Sequence, residues 1–258
     1  SEFHTIRIEH IAQGVISHCN IGGGHGSQHD LKIHAPEFNG GGLGNQKYTE
    51  EVVVTDCTFE PTDSVWSVSL GPQSESGNRD ERLRDFVFER NHFTAASPTQ
   101  RLMRASIQGA TVRNNIFDLT GGSFTKGVDI TKKNDEPQPR DWYVVNNTFY
   151  RADSGTFEAI AISGSVPGCV VKNNLGSAPN SSSPELFNGG GQGTDVSNNL
   201  LTNSPGWVSS NPSVPAQFDL GAGSNAIDAG ALLPYVLLDF DGVAMPSGSA
   251  HDIGAFEF

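Results

Sequence analysis

Two short strands carry the residues best suited to chemistry. Arg7 lies in IRIE (6–9), while Lys32 and His34 stand two places apart in LKIH (31–34), so on an extended chain those two side chains share a face. A lysine or imidazole base beside a guanidinium can remove the proton next to a carboxylate while the cation holds the developing charge. Lys32 or His34 with Arg7 or Arg104 would serve in such a lyase reaction. Glycoside hydrolysis needs instead two carboxylates at a fixed separation, and the comparable strands offer only Glu9, Asp30 and Asp129, scattered along the chain. No acidic triplet falls on neighbouring strands to hold calcium. Asp239 and Asp241 form a D-x-D-G fragment that reads as a turn before it reads as a cation site, and Lys132 and Lys133 open a polar loop. Each basic candidate also has a plain alternative: His34 an ordinary exposed histidine, Lys32 a solvated surface lysine. Cys19, Cys57 and Cys169 are odd in number and widely spaced with no CxxC, so they read as buried thiols rather than a zinc site or disulfide framework.

The elements that must position these groups are repeats. Seven segments share a short apolar strand, an Asn-Asn pair or close variant, and an apolar residue two places on: VISHCNI (15–21), VVTDCTF (53–59), VFERNHF (87–93), TVRNNIF (111–117), YVVNNTF (143–149), VVKNNLG (170–176) and DVSNNLL (195–201). The second residue of each pair recurs every 24 to 38 residues, 30 on average, the length of one solenoid coil with variable loops. Alternation along a strand predicts two inward stacks. One holds Ile16, Val54, Phe88, Val112, Val144, Val171 and Val196; the other holds Ile21, Phe59, Phe93, Phe117, Phe149, Gly176 and Leu201. A repeated buried amide costs free energy unless hydrogen-bonded, so the stacked Asn residues are expected to bond to one another and to the turns, with Cys19 and Cys57 in their column in the first two coils.

A second strand series, IRIE, LKIH, VSLG (68–71), ASIQ (105–108), VDIT (128–131) and IAIS (160–163), alternates with the first. The 258 residues hold 30 Gly and 17% charged side chains, which suits a turn-rich β protein. The formal net charge of −13 opposes nucleic-acid binding, and no run of about 18 apolar residues indicates a membrane span. Ser1–Phe3 read as a cloning remnant, residues 4–203 as coils, and 204–258 as a Pro/Gly/Ser-rich segment of the same domain that caps or covers the solenoid.

The NNxF repeat and the ending SNAIDAG (224–230), DFDG (239–242) and HDIGAFEF (251–258) resemble the pectate-lyase-like superfamily. That resemblance implies an all-β fold: a right-handed parallel β-helix of about seven coils with an asparagine ladder, from a secreted bacterial protein. It also implies that the second strand series floors a glycan groove. Its outward column would run Arg7, Lys32, Ser69, Ser106, Asp129, Ala161; a second, Glu9, His34, Gly71, Gln108, Thr131, Ser163; a third, Asp30, Ser67, Arg104, Gly127, Ala159. Arg7, Lys32, His34, Ser69, Gln73, Arg104, Gln108 and Asp129 are then the expected carbohydrate contacts, with no cofactor beyond calcium to consider. The leading expectation is a non-catalytic polysaccharide-binding domain beside a catalytic domain, similar to modules appended to xylan-degrading enzymes. The alternatives are a polysaccharide lyase or epimerase short of N-terminal coils, and an adhesion module. An apolar outward column on the Asn-side strands, Val15, Val53, Val87, Thr111, Tyr143 and Val170, should be covered by segment 204–250 or by a neighbour.

Overall fold

The computed structural model describes residues 4–9, 11–24, 28–34, 48–60, 65–71, 82–123, 125–132, 138–191 and 193–258. Ser1–Phe3, Gln73 and Lys133 lie outside the described residues. The described chain winds as a right-handed parallel β-helix of seven coils, each giving one strand to each of three seven-stranded parallel sheets. Sheet A runs from Ile6–Glu9 to Glu185–Gly189, sheet B from Gly14–Ser17 to Thr194–Ser197, and sheet C from Asn20–Ile21 to Leu200–Leu201. Every strand pairs only with its equivalents one coil before and after, so each coil buries its apolar face against its neighbours.

The two predicted inward stacks are in register. Ile16 through Val196 align coil by coil in sheet B. In sheet C, Phe59, Phe93, Phe117 and Phe149 stack nearly parallel, with centroids 4.4, 4.7 and 4.8 Å apart. Gly176 interrupts this column for a steric reason: a Cβ there would lie 2.8 Å from Leu186 Cδ1 and 3.5 Å from the Phe157 ring, which fill the space a sixth side chain would need.

The Asn pair divides its labour. The first residue, from His18 through Asn114 and Asn146 to Asn198, takes a left-handed conformation with φ between 51° and 56°, which turns sheet B into sheet C and which Asn tolerates better than most residues. The second builds the ladder. Asn115 Nδ2 and its N–H both donate to Asn147 Oδ1 at 3.0 Å, and the same pattern links Asn91 to Asn115, Asn147 to Asn174 and Asn174 to Asn199. Cys57 N–H donates to Asn91 Oδ1 and Cys19 N–H to Cys57 Sγ, so sulfur continues the column toward coil one.

The first Asn of each pair also holds the C-terminal segment. Asn146 Nδ2 donates to Asp252 O, and Asn173 donates to Ala231 O while accepting from its N–H. The segment packs Phe218, Ala255 and Phe256 on Ile116 and Tyr150, then Leu220, Ala226 and Ile253 on Leu175. Leu233, Val236 and Met245 cover Tyr143, Val145 and Val170. It therefore lies along the flank of the later coils rather than over the end of the solenoid, where Val196 and Leu201 are exposed. In the apolar column of sheet B the segment packs on Tyr143 and Val170, while Val15 at the other end is 68% exposed. Asp239 serves its turn, accepting from Val243 N–H and Glu257 N–H.

Candidate functional site

The outer face of sheet A collects the chemistry. Strand pairing places Arg7, Lys32, Ser69, Arg104, Asp129 and Ala161 in one column, with Asn188 completing it. Arg104 thus belongs beside Ser69 and Asp129. The expected alignment through Ser106 was two residues out of register, because the strand of coil four is Arg101–Ala105. Met103/Ala105 and Ala105/Ile107 are both apolar pairs around a polar residue, and a shift of two preserves the strand period, so alternation alone does not separate them. Ser106, which donates its N–H to Leu70 O, takes the place expected for Gln108.

Gln108 has already turned the corner. It opens the sheet B strand Gln108–Arg113, opposite Arg84 and Arg140, and is not on the groove face. The third expected column is also corrected: in coil four it holds Leu102 rather than Arg104, and from there on it turns inward. Leu102 and Ala159 are in the core, and a Cβ on Gly127 would strike the Phe149 ring at 2.6 Å.

A further outward column was not anticipated: His29, Trp66, Arg101, Lys126, Glu158 and Glu185. Trp66 is stacked on His29 with centroids 5.0 Å apart, and the guanidinium carbons of Arg104 and Arg101 lie 4.4 and 5.7 Å from its ring centroid. The only sequence signal for this platform was an aromatic residue two places ahead of the inward Val68. On sheet A the cations Arg7, Lys32, Arg101, Arg104 and Lys126 lie on coils one to five, and the carboxylates Asp129, Glu158 and Glu185 on coils five to seven, with Glu9 and Asp30 on the first two coils. They are cross-linked between coils by Arg101 to Asp129 and Lys126 to Glu158.

The proposed bases are enclosed. Lys32 is 5% exposed, and its Nζ donates to Ser69 Oγ at 3.2 Å and to Gly71 O at 3.0 Å. His34 is fully buried; Arg7 Nε donates to its Nε2 at 3.1 Å, with the Glu9 carboxylate 3.9 Å from the same nitrogen. Asp129 is buried under Arg101, whereas Arg7, Ser163 and Asn188 are exposed and Trp66, Arg101, Arg104 and Thr131 partly so. Among the described residues no group of three or more His, Cys, Asp or Glu could hold a metal ion. No family profile, curated protein or solved structure matches the chain.

Proposed function

We propose that this chain is a non-catalytic carbohydrate-binding β-helix that holds a polysaccharide along the outer face of sheet A, as its resemblance to pectate-lyase-like modules of secreted polysaccharide-degrading proteins implies. One observation carries the reading: the partly exposed Trp66 ring, stacked on His29 and overlaid by the guanidinium groups of Arg104 and Arg101, forms an aromatic and donor-rich platform on the same sheet face as Ser69, Asp129 and Asn188. A glycan presents the complementary groups: hydroxyls for the guanidinium, hydroxyl and amide groups, and C–H groups for the aromatic surface left exposed. The glycan contacts assigned are Arg7, Trp66, Arg101, Arg104, Ser163 and Asn188, while Lys32, His34, Ser69 and Asp129 act from beneath.

Binding is favoured over lyase action by the state of the bases. A general base must reach the proton it abstracts, and Lys32 Nζ is turned onto Ser69 and Gly71 while the accepting nitrogen of His34 already meets Arg7. Affinity electrophoresis against xylan, pectate, alginate and neutral glucans tests the reading, paired with assays for unsaturated uronate and new reducing ends. Retardation by at least one glycan with neither product is the expected result. Product formation that disappears in Lys32→Ala would establish the lyase instead.

A further inference from the structure

A second cavity lies outside the groove, between the outer face of sheet C and the start of the C-terminal segment. It has a volume of about 270 Å³ and is walled by Tyr150, Ser177, Asn203, Ser204, Trp207 and Ser209, with Ser210, two prolines and a glycine completing it. Elsewhere this segment closes onto the coils with Phe218, Leu220 and Ile253; here it stands off and presents hydroxyls and an amide. No lining residue carries a charge at neutral pH, in a chain whose net charge is −13.

The walls are fixed in place. Trp207 packs edge-on to Tyr150 at 5.4 Å and to Phe218 at 5.1 Å, and Tyr150 closes the triangle with Phe218 at 5.6 Å. Trp207 bridges Leu220, and Val208 N–H donates to Asp219 O. Gly206, at φ +77°, lies where a Cβ would come within 2.7 Å of Ser224 Cα, so the chain entering Trp207 has one way to run. The buried Trp207 indole N–H has no acceptor among the described residues. A rigid cavity of aromatic and neutral hydrogen-bonding groups needs little ordering on binding.

We infer that this cavity is a second binding site, for a single neutral sugar residue: the aromatic and proline walls take the C–H face, and the serine and asparagine groups take the hydroxyls. It shares the carbohydrate reading of the groove but none of its residues, and it would let the protein grip a chain end or side branch as well as a backbone. Intrinsic tryptophan fluorescence of the full chain, titrated with xylose, galactose and glucose and with galacturonate as the charged control, tests it. A saturable change in the millimolar range is expected with at least one neutral sugar, kept in Trp66→Phe, lost in Trp207→Phe, and moved to about tenfold higher concentration in Asn203→Ala, an exposed change that spares the fold. No saturable change with any neutral sugar, a response that survives Trp207→Phe, or galacturonate binding as tightly as the neutral sugars would overturn the site. Polysaccharide retention that depends on Arg104 reports on the groove separately.

Discussion

The side chain of Asn115 makes two separate sets of bonds, and each can be tested. Its Oδ1 accepts from the Asn91 N–H and Nδ2, and its Nδ2 donates to Phe88 O, Arg113 O and Asn147 Oδ1. Asn115→Leu keeps the volume and strands these partners, each at about 1–3 kcal/mol. A clear fall in the urea midpoint is expected; an unchanged midpoint would show that the ladder contributes nothing. His92 offers a pH test. Its ring lies buried against Phe218, and burial pulls its pKa down to about 4 from 6.5. A depressed folded value means stability present above pH 6.5 and lost as the pH falls toward 4, about 3 kcal/mol in full. Glu257, pushed up to about 7 from 4.5 by burial, works the other way, contributing below pH 4.5 and losing that contribution as pH rises through 7. Comparing wild type with His92→Ile, which copies Ile116 of the next coil, isolates the histidine: the variant should lose less stability between pH 7 and pH 5. Parallel melting-temperature curves for the two proteins would contradict the assignment.

At the scale of the element, the first Asn of each pair is predicted to fasten the C-terminal segment. Asn173→Ala removes the exchange of bonds with Ala231 and the bond to Asn146, in a place where Gly230 already fits closely against Asn173. Proteolysis should then open the segment after residue 204 faster, with the coils intact; unchanged cleavage would mean that the apolar contacts of Leu233 and Val236 suffice alone. The coils themselves were legible because their signal is redundant: seven copies of one pattern fix the inward residues, the ladder and the parallel stacking together. The groove was legible only in part. Lys32, Ser69 and Asp129 follow from neighbouring apolar residues, but coil four carries the overlapping apolar positions Met103, Ala105 and Ile107, and one strand repeat cannot say which pair faces in. Trp66 and Arg101 precede the alternating stretch of their strands, where the chain turns and places two consecutive residues such as Leu102 and Met103 inside. Periodicity is silent there. The attachment of the tail was hidden for another reason: it depends on side chains far along the chain, 58 residues apart for Asn173 and Ala231 and 106 for Asn146 and Asp252.

For the whole molecule, the three sheets divide the surface into faces with different fates. The later coils of sheets B and C are packed against the chain's own C-terminal segment, while sheet A keeps an outer face of aromatic, cationic and amide groups arranged one coil apart. The central claim is that this face holds the backbone of a polysaccharide. Calorimetric titration of wild type, Arg104→Ala and Gln108→Ala with the glycan that retards the protein most tests it directly, because the two substitutions lie four residues apart on opposite sides of a corner. Arg104→Ala should weaken binding by about ten- to hundred-fold through loss of a charged donor beside Trp66, and Gln108→Ala should leave it within about twofold. Undiminished affinity in Arg104→Ala, or an equal loss in both, would contradict the assignment of the binding face to sheet A.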